Sequence, residues 1–490
     1  MEQTQSLLFN PAQHMEAIFS TGWRSGSGKS VPVTDKASGD ALLKIGIADC
    51  DDVARAAVAA RAAQRAWEAT PPASRADVLR RFAACLEKHR DELAGWIVRE
   101  SGSIRPKAEF EVATSIREAL EVSGLAGRSI GELLSSSNGR TSYARRVPLG
   151  VVGVITPWNS PLLLALRAVL PALVLGNAVV LKPDVQTSVS GGLLIARAFE
   201  EAGLPEGLLH VLPGGADTGE ALVAHPDIAM ISFTGSTTVG RRVGETAGRL
   251  LKRVTLELGG NNALIVFDDV DIEAVTSAAA FGSFFHQGQI CFSTGRHLVH
   301  ADIADRYAQA LVRRANALHA GDPNKGPVHL GPLINLRQAE RAQRFVAASV
   351  QQGAQLLAGG GTDGAFMKAT VLANVTPQMP AFSEEVFGPV APITVFHNEE
   401  EAIALANATE YGLVASVFTR DMARAMRVAT AMKTGIVHIN DQTINHDVFA
   451  PIGGRGASGN TGRSGIPAAL DEYTQWQWVT VGEAVPHYPF

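Results

Sequence analysis

The chain is poor in cysteine: its 490 residues include three, Cys50, Cys85 and Cys291. Neither their number nor their spacing makes a disulfide framework or a zinc site, so a stapled secreted domain is excluded and a reducing cytoplasm is expected. Basic charge is also short. With 43 Lys and Arg against 48 Asp and Glu the formal net charge is −5, and without a basic footprint no nucleic-acid partner is expected. The N-terminus, Met1-Glu2-Gln3-Thr4-Gln5-Ser6, lacks the positive region and apolar core of a secretory signal. Internal repeats and low-complexity tracts are missing as well. From Val147 to Lys182 the chain is nearly free of charge, Arg167 being the one exception before Lys182, and that length could cross a membrane. Gly150, Gly153, Pro157, Asn159, Pro161, Pro171, Gly176 and Asn177 instead divide it into strand, turn, helix and strand, the reading of a buried α/β unit and not of a membrane span.

Hydrophobic residues at 46% and charged ones at 19% describe a globular protein, and the length calls for two or three domains. Apolar strands alternate with helical patterns from Val147 onward. Strands are expected at 150–156, 178–181, 208–212 and 228–233, with helices at 161–175 and 190–202 between them. Such a rhythm predicts an open, doubly wound parallel sheet that binds ligands beyond the carboxyl ends of its strands. A second α/β stretch follows Gly260, with a strand at 263–267, a helix at 271–285 opened by Asp268 or Asp269, and strands at 392–396 and 435–440. The N-terminal third adds a helix after Asp51-Asp52 and another over 74–101. Thr141–Val147 and the Trp-bearing tail 473–481 read as ribbon pieces that belong together, with pairing to a neighbouring subunit the expected way to cover their edges.

Two groups suggest covalent catalysis. Cys291, in Phe284-Phe285-His286-Gln287-Gly288-Gln289-Ile290-Cys291, could attack a carbonyl carbon; Glu257, in Leu256-Glu257-Leu258-Gly259-Gly260-Asn261, could take a proton from the water that cleaves the thioester. Gly259-Gly260 makes a hinge that would set the two across a cleft. Phe233-Thr234-Gly235-Ser236-Thr237-Thr238-Val239-Gly240 is a strand-to-helix turn suited to an anion, although it lacks the G-x-G-x-x-G spacing.

Several segments together carry a specific resemblance: Thr156-Pro157-Trp158-Asn159-Ser160-Pro161, Leu181-Lys182-Pro183, Phe233-Thr234-Gly235-Ser236, the segments around Glu257 and Cys291, Glu384-Glu385-Val386-Phe387-Gly388-Pro389, and Pro451-Ile452-Gly453-Gly454 with Ser458-Gly459. In this order the chain resembles the aldehyde dehydrogenase superfamily over nearly its whole length, and within it the benzaldehyde dehydrogenases. The resemblance implies a Rossmann-like cofactor domain (1–125 and 148–259), an α/β catalytic domain (260–460), and a small β oligomerisation segment (126–147 and 461–490) that builds a homodimer or homotetramer. It implies that Cys291 is the nucleophile, that the Asn159 amide and the Cys291 N–H hold the oxyanion, and that Glu257 activates water. NAD would be held by Ile155, Thr156, Pro157, Trp158, Lys182, Gly215, Phe233, Gly235, Ser236, Leu258, Glu385 and Phe387, and no metal is expected. The aldehyde tunnel would be lined by Ser160, Leu163, Leu164, Arg167, Phe285, Ile290, Phe292, Ile444 and Phe449, which suits benzaldehyde or a substituted benzaldehyde.

Departures from the pattern qualify that expectation. Val185 stands where many relatives that use NAD carry a ribose-binding Glu, which leaves NADP open. Phe292 and Ser293 replace small residues after Cys291, and Asn261-Asn262-Ala263 replaces a frequent Lys-x-Pro. Ser464 replaces a Glu proposed in relatives as a proton relay. Arg167, a charge in the tunnel, needs a partner in the protein or on the substrate. Competing readings are a dehydrogenase for an aliphatic or terpenoid aldehyde, a CoA-acylating relative, a hydrolase pairing Cys291 with His286 or His297, and a noncatalytic binding protein.

Overall fold

A computed structural model describes residues 7–136 and 139–490. Two seven-stranded sheets dominate it. In the first, the strands run Arg253–Glu257, Ile228–Thr234, Val151–Ile155, Ala178–Lys182, Leu209–Val211, Ala17–Phe19 and Trp23–Ser25. The first five are parallel, and the N-terminal hairpin joins antiparallel. The parallel part starts at Val151–Ile155, moves outward on one side, then returns to build the other, so the order reverses between Val151–Ile155 and Ile228–Thr234. A crevice opens at the carboxyl ends there. Register places Ile155 beside both Phe233 and Lys182, and Thr234 beside Glu257. Four functional candidates thus share one rim.

Both faces of this sheet are covered. Every residue of Val151–Ile155 and Ala178–Lys182 is buried, which is why these strands show unbroken apolar runs instead of alternation. The helix Pro161–Val174 is buried on all sides, and that accounts for the charge-free stretch. No helix among the described residues is long and apolar enough to cross a membrane.

The second sheet runs Gln355–Ala358, Thr370–Ala373, Val390–Phe396, Thr294–His300, Asn262–Val266, Val414–Phe418 and Ile436–Ile439, parallel except at its first pair. A third, smaller sheet joins Thr474–Val481, Thr141–Pro148 and Gly131–Leu134. The tail therefore does pair with the ribbon, in full antiparallel register from Thr474 opposite Pro148 to Val481 opposite Thr141. It does so within its own chain, so the neighbouring subunit is not needed for that pairing.

Three expectations about helices need correction. The span 74–101 is two helices, Pro72–Lys88 and Arg90–Ser101, broken at His89; no Gly or Pro marks the break. The helix Ile272–Phe284 is capped by Asp271, not by Asp268 or Asp269. Asp269 instead accepts hydrogen bonds from Thr419, Arg420 and Asp421. The span 190–202 begins as a π-helical turn, Val189–Leu193, and becomes α-helical at Leu194–Glu201, because the buried Glu100 carboxylate takes the N–H groups of Val189 and Ser190 at 3.0 and 2.6 Å.

Candidate active site

Cys291 follows a strained loop. His286 and Gln287 have φ of 51° and 56° and Gly288 of 67°, a left-handed run that costs about 1–2 kcal/mol for each non-glycine residue. Surrounding bonds hold it in place. Gln287 Nε2 donates to the carbonyls of Gly102 and Pro332, both at 2.9 Å, and Gln289 Oε1 accepts the Ile334 N–H at 3.0 Å. At Gly288 a Cβ would lie 2.3 Å from the Gly388 carbonyl, so no side chain fits. Beyond the nucleophile, Asn262 Nδ2 donates to the carbonyls of Cys291 and Ser293, both at 2.7 Å. That clamp comes from the Asn261-Asn262-Ala263 departure and was not legible as functional.

Asn159 sits 3% exposed on the opposite wall. Its Nδ2 donates to the Gln289 carbonyl at 2.9 Å, which ties it to the Cys291 loop and leaves its second N–H available. Lys107 Nζ donates to the Asn159 carbonyl at 2.8 Å and to Glu111 at 2.5 Å. Glu111 in turn accepts the N–H groups of Leu162 and Leu163 at 2.9 and 3.2 Å, closing the N-terminus of the helix Pro161–Val174. Neither Lys107 nor Glu111 stood out in the sequence; their (i, i+4) spacing is ordinary on a helix surface.

Glu257 closes its strand with 7% exposure, and its Oε1 has no hydrogen-bond partner. Burial pushes its carboxyl up to about 8, against the pull of Arg167 and Arg463 and with some help from Glu472. The Cys291 thiol is pushed up to about 12 by burial, with Arg167 opposing. Burial thus favours the neutral form of both groups, and Arg167 is the cation that favours ionising either one.

An apolar slot leads to Cys291. It is lined by Ser160, Leu163, Leu164, Arg167, Phe285, Ile290, Phe292 and Ile444, and also by Lys107, Phe110, Glu111, Asn445 and His446. Phe449 is absent from this wall. It is 54% exposed, because the turn at Asp447, whose carboxylate accepts the Phe449 N–H, directs it outward. Arg167 finds its partner in His446, Nη2 to Nδ1 at 3.0 Å, and His446 Nε2 faces the buried Glu118 carboxylate at 3.5 Å.

Neither His286 nor His297 hydrogen-bonds the Cys291 thiol. The first meets Ser103 at 3.4 Å. The second is bonded at both nitrogens, to Ser283 and Tyr307 at 2.7 Å each, and burial lowers its pKa to about 3. This removes the geometric basis for a Cys-His hydrolase.

The residues expected to hold a dinucleotide gather at the crevice. Ile155 to Trp158 leave one central strand, Lys182 ends its neighbour, and Phe233, Gly235 and Ser236 follow the strand on the other side. Gly215 and Ser236 occupy the N-cap positions of Ala216–Ala224 and Thr237–Arg249, and Leu258 lies under Gly240, where a Cβ would meet it at 2.3 Å. Glu385 accepts the Gly260 N–H at 2.9 Å, and its carboxyl is pushed up to about 7 by burial. Phe387 meets Trp158 edge-on at 5.5 Å. Two features fit a polar ligand here: the Thr156 hydroxyl is buried without a partner, and a Cβ on Gly259 would collide with Glu385 at 2.3 Å.

Comparison with known proteins agrees with this geometry. A benzaldehyde dehydrogenase [NAD(+)] from Pseudomonas putida is 52% identical over 474 residues, 96% of this chain and 97% of that protein. A vanillin dehydrogenase from Amycolatopsis sp. is 51% identical, covering 96% and 98%. The crystal structure of betaine aldehyde dehydrogenase from Staphylococcus aureus in complex with NAD+ superposes with a TM-score of 0.95 at 29% identity, covering 98% of this chain and 97% of that one. Residues 23–479 match the pattern of the Aldehyde dehydrogenase family, and the chain belongs to that family.

Proposed function

We propose that the protein oxidises aromatic aldehydes, benzaldehyde or ring-substituted benzaldehydes, to carboxylic acids with NAD. The observation that carries this reading is that Cys291 and Asn159 line one slot with Leu163, Leu164, Phe285 and Phe292, with Glu257 near enough for its charge to act on the Cys291 thiol. Flat apolar walls match an aromatic ring. The named activities of the two relatives above, on benzaldehyde and vanillin, support the same class.

The chemistry follows from the placement of these groups. Cys291 Sγ bonds to the aldehyde carbon as its proton passes to Glu257, and the oxyanion settles between the free Asn159 N–H and the Cys291 backbone N–H. A bound nicotinamide dinucleotide supplies the hydride acceptor. Loss of hydride leaves the acyl group on Cys291 as a thioester. Once it has given up the thiol's proton, Glu257 takes one from the attacking water and passes it to the Cys291 sulfur as the C–S bond breaks, so the acid leaves and the thiol is restored. A carboxylate poised for that water favours hydrolysis over acyl transfer to CoA.

At the adenosine side, Lys182 Nζ is held by the carbonyls of Gly214 and Pro183 at 2.7 and 3.2 Å, within the fields of Asp184 and Asp217. Those two carboxylates repel a 2′-phosphate, which favours NAD although Val185 is not acidic. A homodimer or homotetramer is supported by the small sheet, which leaves Leu133 82% and Trp478 72% exposed, a surface suited to a second copy. A cytoplasmic location fits three cysteines that are all free, one of them the nucleophile.

The test is NADH formation with benzaldehyde, repeated with NADP, with CoA present, and with Cys291→Ala. Aldehyde-dependent NADH that disappears in the variant supports the reading. Far more efficient turnover of short aliphatic aldehydes would overturn the aromatic assignment, and an acyl-CoA product would overturn hydrolysis.

A further inference from the structure

Glu257 is buried and must hand on the proton it takes from Cys291 before it can draw one from water. Ser464 offers no carboxylate for this; its backbone is engaged in a two-way bridge with Ile452. The helix Ile466–Tyr473 brings another acid to the same place. Glu472 Oε2 accepts the Thr255 hydroxyl at 2.8 Å, and its Oε1 accepts the Arg463 N–H at 3.0 Å. Thr255 and Glu257 lie two residues apart in the strand Arg253–Glu257, so they share one face about 7 Å apart. Glu472 is half-buried. A gradient therefore runs along that face, from an enclosed carboxyl to one with access to solvent.

We propose that Glu472 is the proton relay of this enzyme, accepting from Glu257 the proton drawn from Cys291 and releasing it to solvent, so that Glu257 is free to activate the hydrolytic water. The inference rests on the roles of Cys291 and Glu257 given above. In the step, the proton that Glu257 took from Cys291 passes through one bridging water to Glu472; water oxygen then bonds to the thioester carbon as its own proton goes to Glu257, and the C–S bond breaks as that proton returns to the Cys291 sulfur. Glu472 also acts on Glu257 electrostatically. Its negative charge raises the Glu257 carboxyl, whereas Arg167 and Arg463 lower it, and Cys291 is the remaining titratable group that senses Glu257.

The test is Glu472→Gln, which can keep both hydrogen bonds because the Thr255 hydroxyl can turn from donor to acceptor. NADH formation is followed on mixing and at steady state, across pH, with and without added formate. Hydride loss precedes hydrolysis, so the variant is expected to release its first equivalent of NADH at the wild-type rate and then turn over about tenfold more slowly. The acid limb of kcat should move to lower pH, since a like charge has been removed, and formate should restore part of the rate. An unchanged kcat and pH limb would overturn the relay. So would an equal fall in the first and later turnovers without rescue, which is what a purely structural residue gives. Wild-type protein that makes no NADH from any aldehyde would instead overturn the reading beneath it.

Discussion

Two walls of the catalytic cleft each carry a buried carboxylate, Glu111 at 1% and Glu257 at 7% exposure, and are oppositely wired. On the Asn159 side, Lys107 and Glu111 are bonded to each other, to the Asn159 carbonyl and to the open end of the helix Pro161–Val174. On the other side, Glu257 keeps an oxygen without a partner, and Cys291 is left neutral by burial. Burial is common to both, so it does not by itself make a group reactive. What differs is satisfaction: paired charges fix geometry, and unpaired ones store the capacity to accept a bond or a proton.

The contrast is broken most severely by Cys291→Ala, which should lower NADH formation by at least about a thousandfold with no first-turnover NADH, measured by stopped flow. Glu257→Gln should slow the first turnover as well as the steady state, with kcat falling by about 100-fold or more. In the wild type, the base must be ionised, so kcat should fall as pH drops through about 8. Stability should run the other way. The folded protein holds this proton more tightly than the unfolded chain, whose carboxyl titrates near 4.5, so the group costs stability progressively between those two values. Glu257→Gln should therefore melt a few degrees higher than wild type at pH 8, with the gap closing towards pH 5. The anchored wall should answer differently. Lys107→Met strands the Glu111 charge and should cost about 3–5 kcal/mol in denaturant unfolding, part of which the double variant with Glu111→Gln should recover. The smallest effect should come from Arg167→Leu, which removes the donors facing the slot. It should shift kcat/KM by about tenfold and unequally between benzaldehyde and hydroxybenzaldehydes; a uniform change would assign Arg167 to Cys291 and Glu257 rather than to the ring.

The reactive wall was more legible in the sequence than the anchored one. Cys291 and Glu257 sit in motifs whose residue types announce chemistry, and the parallel sheet followed from strands too apolar to alternate. Lys107, Glu111, Glu118 and His446 reach the site from helices and loops whose local patterns are those of solvated surface, and only the tertiary arrangement buries them. Asn262 was visible only as a departure. Phe449 was misplaced because an aromatic near the tunnel segment says nothing about which way its turn faces, and the break at His89 lacks the Gly or Pro that marks most helix ends.

The strand Arg253–Glu257 has one further property. Its flank is held by the far end of the chain: Arg253 donates to the carbonyls of Asp471, Glu472 and Thr474, Asn460 accepts the Leu256 N–H, and Thr474–Val481 closes onto Thr141–Pro148. These contacts join residues more than 200 positions apart. The strand pairs early with Ile228–Thr234, but its outer flank closes only after residues 460–474 have been synthesised, so this side of the Glu257 strand is the slow, long-range part of the site to form.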